Sequence, residues 1–454
     1  MPQRFITVDR ETPYLLPPSI NEWLPEGHLA RFVVEIVQAL DLSEIEKAYA
    51  GRGEKAHSPE VLLGLLFYGY ATGVFSSRKL EAASYDSVAF RYVTGDTHPD
   101  HDTIAAFRRR FIKELKSLFL QVLQIAQEMG CLKLGKVSLD GTKIKANASK
   151  HRALSYKHAG ELEAQLKQEV AELMRMAEEA DAVEVPADLV IPAEVERREQ
   201  RLAAIAKAKA EIEGRGKERY QQELAVHEKQ VAQRKAKEEA SGKKPRGRDP
   251  EPPKEGPRDR DQVNLTDRES RIMPTPSGGF EQGYNGQASV DVDTMLIVGE
   301  HVSQNTNDKQ EVGPALEGLS RLADTIGEVE ALLADTGYFS EANVGLCKEA
   351  SVVPYISTHR EKHNQWLKKR LEGKSLEEPP EDADAVELMK HRLQTEAGRE
   401  VYAKRKSTVE TVFGIIKAVM GYRQFLLRGL DCVQGEWDLV CTAYNLKRLH
   451  ALRG

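Results

Sequence analysis

The chain of 454 residues has little cysteine, and its four cysteines form neither a CxxC pair nor a cluster with histidine: Cys131, Cys347, Cys432 and Cys441. This spacing argues against a structural zinc site and against a disulfide scaffold. The first twenty residues lack the apolar segment of a signal peptide. No apolar run reaches the roughly 18 residues that a membrane span needs. We therefore expect a soluble, cytoplasmic protein with no membrane contact.

The acidic net charge of −6 conceals a strong segregation of charge along the chain. Residues 101–160 contain 12 Lys and Arg against 4 Asp and Glu, and residues 401–430 contain 6 against 1. Residues 161–240 have the opposite balance, with 14 basic and 19 acidic side chains. Two basic segments that meet in the fold attract polyanions whatever the total charge.

Residues 1–130 are typical of a helical domain. Ser58 and Pro59 provide an N-cap and a first helical residue ahead of an apolar segment. Apolar residues at spacings of three and four continue from Ile104 to Val122, and they leave at least two of Arg108, Arg109 and Arg110 facing outward. Short helices with exposed arginines suit a DNA-binding head, although a plain helical domain with a solvated basic face fits the same pattern.

The remaining chain alternates strand and helix patterns, with two charged insertions. "KVSLDGTKIKA" predicts a strand, residues 155–240 predict a long antiparallel helical hairpin or coiled coil, and a Pro- and Gly-rich linker follows. Residues 285–290 and 295–302 predict a β-hairpin around "DVDT". Without the insertions the order is β, β, β, α, β, α, β, α, which fits an RNase H-like mixed sheet with helices rather than a Rossmann-like fold.

These patterns divide the chain into four parts. They are a helical DNA-binding and assembly domain (1–130), the first strand of a catalytic core (131–154), an inserted helical hairpin with its linker (155–262), and the rest of the core (263–454) with a charged insertion at 359–400.

Three acids occupy positions from which they could converge. Asp140 lies in the first strand, Asp335 follows the apolar "VEALLA", and Glu410 is placed in the first turn of a helix predicted to start near Ser407 or Thr408. Carboxylates are the ligands that Mg²⁺ or Mn²⁺ prefers, and two such ions about 4 Å apart can promote attack on a phosphodiester. Further acids compete by position alone: Asp291, Asp293, Glu300 and Asp308.

The linked motifs make the sequence similar to bacterial insertion-sequence DDE transposases, over most of the chain. "SLDGTKIKANAS" resembles the strand with the first acid, "LLADTGYFSEAN" the second-acid motif, and "VYAKRKSTVETVFGIIK" the third-acid helix. The N-terminal "HLARFVVEIVQALDLSEI" and "SPEVLLGLLFYGYATG" resemble the helical head of that group, and "QGYNGQASVD" resembles the return into its sheet. The resemblance assigns Asp140, Asp335 and Glu410 as catalytic and metal-binding residues.

The third motif also suggests residues that contact DNA. Across the superfamily it has Tyr, two residues, Arg, three residues, Glu, six residues and Lys. Glu410 and Lys417 keep the last interval, whereas Tyr402 is eight residues before Glu410 and Lys406 stands at the arginine position. The predicted DNA-binding residues are Arg108, Arg109, Arg110, Lys143, Lys145, Arg405, Lys406, Lys417, Arg423 and Arg428.

The resemblance implies a nucleoid-associated transposase that binds double-stranded DNA, namely the terminal inverted repeats of its element and a target. It would work as a homodimer or higher oligomer with two Mg²⁺ ions, or Mn²⁺, at each site. Water would free a 3′-hydroxyl at the element end, and that hydroxyl would attack the target. Three alternatives remain open: a metal-dependent nuclease of the same fold, a non-catalytic DNA-binding protein derived from a transposase, and a structural coiled-coil protein.

Overall fold

A computed structural model describes residues 19–49, 56–178, 191–242, 244, 247–275, 278–358 and 383–453. The chain forms two compact units. The first comprises Met1–Thr142, Asn285–Leu426 and Asp431–Gly454, and the second comprises Lys143–Tyr284 and Leu427–Leu430. Most of the predicted charged insertion at 359–400 lies outside the described residues.

The N-terminal part of the first unit is helical, as predicted. Its helices are α1 (Leu29–Ala39), α2 (Ser43–Glu46), α3 (Pro59–Thr72), α4 (Ser77–Asp86), α5 (Val88–Thr94), α6 (His101–Arg110) and α7 (Glu114–Glu128). Ser58 caps α3 as expected, because its hydroxyl accepts a hydrogen bond from the Val61 amide. Asp100 caps α6, because its carboxylate accepts a hydrogen bond from the Thr103 amide.

A mixed β-sheet follows, and its order agrees with the predicted sequence of elements. In the described part of the chain the strands are β1 (Lys136–Lys145), β2 (Ala153–Ser155), β3 (Gln262–Asn264), β4 (Arg271–Pro274), β5 (Phe280–Asp291), β6 (Ile297–Ser303), β7 (Ala331–Ala334) and β8 (Val353–Ile356). The main sheet has the order β4-β5-β1-β7-β8, with β6 also paired to β5. β5 and β6 form the predicted antiparallel hairpin, and β7 is parallel to both β1 and β8. Strands β2 and β3 form a separate antiparallel pair.

The remaining helices of the first unit pack around this sheet. They are α10 (Val312–Ser320), α11 (Glu341–Glu349), α12 (Ala385–Gln394), α13 (Glu396–Gly414), a π-helical turn (Ile415–Val419) and α14 (Leu430–Arg453). The Asn445 side chain of α14 bonds both the amide and the carbonyl of Ile297, and Trp437 donates to the Gln287 carbonyl. These bonds fix the C-terminal helix against β5 and β6.

Helix α13 corrects the predicted position of the third acid. It begins at Glu396, with Thr395 as its N-cap, and not near Ser407 or Thr408. Glu410 therefore lies near the carboxyl end of a long helix instead of in a first turn. The helical residues before Ser407 are mainly charged and exposed. They therefore lack the apolar pattern from which the start of the helix could be predicted.

The second unit contains two long helices, α8 (Tyr156–Glu178) and α9 (Ile191–Ser241). They run antiparallel, since Glu163 pairs with Lys209 at 2.7 Å and Glu169 pairs with Arg198 at 2.8 Å. Their apolar residues form one core with the β2–β3 pair: Leu154, Ala159, Leu166, Ile205, Ala208, Ile212 and Val263. This arrangement is the antiparallel helical pair expected from the sequence.

In the part of the chain that the structure describes, no helix combines the length and the apolar character needed to cross a membrane.

Candidate functional site

Two of the predicted acids are brought together by the parallel pairing of β1 and β7. Lys136 pairs with Ala331 and Ser138 with Leu333. Continuing this register by two residues brings Asp140 opposite Asp335, which directly follows β7. Asp335 follows the carboxyl end of β7, whereas Asp140 lies in the middle of the longer β1, so the parallel pairing makes the two acids neighbours across the two strands. All the residues of this site belong to the first unit.

Asp140 is largely buried, with 20% of its side chain exposed. Burial raises the pKa of Asp140 to about 6, and the negative charges of Asp335 and Asp308 act in the same direction. The Gly141 amide, 2.8 Å from Asp140 Oδ1, and the charge of Arg405 oppose this rise in pKa. The site therefore holds clustered negative charge that favours a nearby cation.

Arg405 links the first acid to the third. Its guanidinium lies 3.4 Å from Asp140 Oδ2 and donates to Glu410 Oε1 at 2.8 Å. Only 9% of the Arg405 side chain is exposed, against 50% for Glu410. Helix α13 thus holds both Glu410 and the positively charged Arg405 next to Asp140 of β1. The sequence assigned Arg405 to phosphate binding, whereas here it neutralises two carboxylates.

A fourth acid, Asp308, lies beside the first two. Its Oδ1 accepts hydrogen bonds from Asn285 Nδ2 at 2.7 Å and Gln287 Nε2 at 2.9 Å. Asn285 and Gln287 are two residues apart on β5, so their side chains share one face. The buried Tyr338 hydroxyl donates to Gln287 Oε1 at 2.5 Å. Four carboxylates and two amides therefore lie around the middle of β1 and the carboxyl end of β7.

The small size of Gly141 is needed at this place. A Cβ atom there would lie 2.2 Å from Gln287 Nε2, 2.8 Å from Asp308 Oδ1 and 2.9 Å from Asn285 Oδ1. Such distances are far below van der Waals contact, so any larger residue would displace the amides or the carboxylate. The glycine that follows the first acid keeps this space available.

The other competing acids have separate structural partners. Asp291 accepts hydrogen bonds from the amide and hydroxyl of Thr294 in the β5–β6 turn. Asp293 is exposed and lies 3.5 Å from Lys404, and Glu300 is buried 2.5 Å from Lys116. The structure thus selects Asp308 from the four acids that position alone could not separate.

The predicted DNA-binding residues of the first unit differ in accessibility. Arg109, Arg110, Lys406 and Arg423 are exposed, and Lys417 is half-buried in the π-helical turn. Arg108 is buried, and its guanidinium donates to the Tyr70 hydroxyl and the Phe75 carbonyl. A phosphate cannot reach a guanidinium held in this way, so Arg108 has a packing role in this structure.

The second unit holds the other three predicted DNA-binding residues. Lys145 is exposed and lies 3.3 Å from Glu281, Arg428 is exposed and donates to the Asn147 carbonyl, and Lys143 is half-buried. Tyr284, for which the sequence favours a structural role over positioning of the metal site, donates to the buried Asp267 carboxylate within this unit.

The chemistry of the first unit's site suits a hard divalent cation, because its donors are carboxylate and amide oxygens. Among the described residues, however, no three His, Cys, Asp or Glu side chains are already arranged as a set of metal ligands. Arg405 occupies part of the carboxylate surface instead. A divalent ion and this guanidinium would compete for the same negative charge.

Sequence reasoning missed Gly141, Gln287 and Tyr338, and it treated Asn285 as a structural residue. One sequence signal could have found part of this set: the polar residues Asn285 and Gln287 alternate with the small residues Gly286 and Ala288 in a predicted strand. Tyr338 gave no such signal, because an aromatic residue after a strand is more often part of the core.

Two family models match the chain, and both describe transposases. A transposase domain of otherwise unassigned function matches residues 18–110, which cover most of the N-terminal helices. A transposase DDE domain matches residues 363–450, which include Arg405, Glu410 and Lys417. The comparisons with curated proteins and with solved structures found no match. The two matched domains, in this order on one chain, support an insertion-sequence DDE transposase.

Proposed function

We propose that this chain cuts the DNA at the ends of a mobile element and joins those ends to a target, with an RNase H-like core as the catalytic domain. The observation that carries the proposal is the meeting of Asp140 and Asp335 across the paired strands β1 and β7, with Glu410 connected to Asp140 through Arg405. Asp335 and Glu410 lie 195 and 270 residues after Asp140 in the sequence, and the fold brings all three acids to one site.

The sheet supports the proposed core, since three antiparallel strands (β1, β5 and β6) precede the parallel β7 and β8. Two backbone hydrogen bonds connect β1 and β5. The Val292 amide donates to the Lys136 carbonyl, and the Ala146 amide donates to the Gln282 carbonyl. The start of β1 therefore pairs with the end of β5 and the end of β1 with its start, so the two strands are antiparallel. This succession is the one expected for an RNase H-like core.

Each reaction step exchanges one bond at phosphorus. In the first step a water oxygen bonds to the phosphorus at the element end, the bond from phosphorus to the 3′-oxygen breaks, and that oxygen leaves as a 3′-hydroxyl. In the second step the 3′-hydroxyl oxygen bonds to a target phosphorus and a target 3′-oxygen leaves. Neither step needs a covalent protein intermediate, because positioning and charge neutralisation are sufficient for phosphoryl transfer.

Asp140, Asp335 and Glu410 would hold Mg²⁺ or Mn²⁺, which when bound supplies Lewis-acid activation of the attacking oxygen and neutralises charge on the phosphate. Arg405 holds the first and third carboxylates in place and limits their mutual repulsion. The exposed basic residues Arg109, Arg110 and Lys406 would hold DNA phosphates, which supply most of the affinity for a duplex.

The test is a cleavage and strand-transfer assay with DNA that carries the element's own terminal repeats. Asp140→Asn, Asp335→Asn and Glu410→Gln should each remove cleavage and leave end binding intact, because each removes one charge and almost no volume. Asp293→Asn, a change at an exposed acid outside the site, is the matched control and should retain activity. Retained cleavage in any one of the three variants would remove that residue from the site.

The same assay separates strand transfer from simple hydrolysis. A transposase should yield products in which the element end is covalently joined to target DNA. Cleavage without joined products would favour a metal-dependent nuclease of the same fold. Binding without cleavage in the wild-type protein would favour a DNA-binding protein derived from a transposase.

A further inference from the structure

Asp308 lies close to Gly141 of β1 and to Gly337, glycines that lie one residue after Asp140 and two residues after Asp335. Its Oδ1 lies 2.8 Å from the point where a Cβ of Gly141 would stand, next to Asp140. Its Oδ2 lies 3.8 Å from the corresponding point at Gly337, where Asp335 Oδ1 approaches to 2.9 Å. One carboxylate therefore lies beside both of the chain segments that hold the proposed catalytic acids Asp140 and Asp335.

Asp308 could serve only to hold β5 in place through its hydrogen bonds. A second observation is therefore needed before it is assigned as a ligand. Asn285 is fully buried, and its Oδ1 accepts no hydrogen bond from any described residue. This oxygen lies 2.9 Å from the same point beside Gly141 that Asp308 Oδ1 approaches to 2.8 Å. A buried amide oxygen without a donor is costly, and it indicates a missing positive partner.

The orientation of the Asn285 amide follows from its neighbour. Its Nδ2 donates to Asp308 Oδ1 at 2.7 Å, and the opposite orientation would bring its oxygen against a carboxylate oxygen. Gln287 is fixed similarly, because its Nε2 donates to Asp308 and its Oε1 accepts from Tyr338. The Asn285 oxygen is thus held toward the space beside Gly141.

We propose that Asp308 and the side-chain oxygen of Asn285 are additional ligands for a divalent cation held by Asp140 and Asp335. This inference rests on the proposed function, and it extends the cation site beyond the three acids. Carboxylate and amide oxygens are the donors that suit Mg²⁺ or Mn²⁺.

The experiment measures Mn²⁺ binding by the full-length protein without DNA, from the electron paramagnetic resonance signal of free Mn²⁺. Asp308→Asn retains the shape and removes the charge, and Asn285→Ala removes the unpaired oxygen. Both variants should weaken Mn²⁺ binding by about tenfold or more. Asp293→Asn, at an acid whose side chain is 73% exposed, should bind Mn²⁺ as the wild type does.

Thermal unfolding of each variant distinguishes a residue that binds the cation from one that only holds β5 in place. If Asp308 and Asn285 only hold β5, the variants should melt earlier and bind Mn²⁺ with unchanged affinity, which would overturn the proposal. Should Asp308→Asn fail to fold, Asn285→Ala decides by the same criterion. A wild-type chain that binds no Mn²⁺ would also overturn it.

The outcome is distinguishable from failure of the proposed function. If Mn²⁺ binding depends on Asp308 but element ends are not cut, transposition fails and the ligand assignment stands. If element ends are cut and joined while Asp308→Asn binds Mn²⁺ normally, the ligand assignment fails and the proposed function stands.

Discussion

A buried carboxyl pair makes the stability of the first unit depend on pH. Glu300 of β6 has 1% of its side chain exposed, lies 2.5 Å from Lys116 Nζ of α7, and adjoins Asp438 of α14. Burial raises the pKa of Glu300, and the charge of Asp438 raises it further, while Lys116 opposes the rise. Glu300 Oε2 has no donor among the described residues, which is explained if a proton on Glu300 is shared with Asp438.

The perturbation is Glu300→Gln, because glutamine copies the protonated acid and cannot titrate. The native state keeps the proton on Glu300 that the unfolded chain loses near pH 4.3. Native protein therefore binds more protons than unfolded protein above that pH, and its stability falls as the pH rises toward the raised pKa. Each pH unit in this window is equivalent to about 1.4 kcal/mol.

The expected magnitude follows from that slope. At pH 5 the variant should be about 1 kcal/mol more stable than the wild type, and at pH 7 the gain should reach at most about 4 kcal/mol. The other groups facing Glu300 keep their places, since Lys116 can donate to the new amide oxygen and Asp438 can accept from its nitrogen. Gln434 continues to donate to Asp438, and Cys441 stays buried beside the pair.

The assay is urea unfolding at pH 5, 6, 7 and 8, followed by tryptophan fluorescence, to which the buried Trp437 contributes. The difference in unfolding midpoint between variant and wild type should widen with pH. Glu317→Gln, at a glutamate that is 70% exposed and paired with Arg321, is the control and should follow the wild type. Parallel pH curves for Glu300→Gln and wild type would refute the reasoning.

Three further predictions address the site. Gly141→Ala should destabilise the protein by about 1–3 kcal/mol and reduce cleavage, because its Cβ would meet the side chains around it. Gly414→Ala, at a glycine of α13 with open space around it, should do neither. A Gly141→Ala variant with unchanged stability and cleavage would contradict the crowding at Gly141. Arg405→Lys should reduce cleavage at least about tenfold but spare DNA binding, since a single ammonium lacks the planar donor set of the guanidinium. Lys406→Gln should weaken DNA binding more than cleavage. If both variants affect both assays equally, the separate roles of Arg405 and Lys406 are contradicted. Affinity for element ends should fall steeply with salt, with a logarithmic slope of about −0.9 for each phosphate that a basic residue contacts, and a flat salt response would exclude the basic surface.

Much of the fold could be predicted because its signals are local. Alternating side chains identify β1 and the β5–β6 hairpin, and apolar residues spaced by three and four identify α8 and α9. The start of α13 was wrong by about ten residues, since a charged, exposed helical segment lacks the apolar pattern that marks a helix.

Of the candidate site, sequence motifs alone identified Asp140, Asp335 and Glu410 as the acids to consider. They could not rank Asp308 above Asp291, Asp293 or Glu300, because an acid before a helix or in a turn has the same local appearance in each case. Only the packing of β5 beside β1 brings Asn285 and Gln287 onto the Asp308 carboxylate.

The sequence by itself therefore indicated the type of protein and the order of its elements, and it named the three acids as candidates, since these depend on residue identity and spacing along the chain. The tertiary structure alone decided which charges are buried. It placed Arg108 in the packing of the helical head, Arg405 between two acids, and Asp308 beside an unpaired amide oxygen. The physical reason is that burial and the pairing of charges arise from contacts between residues distant in sequence, and no local pattern records them.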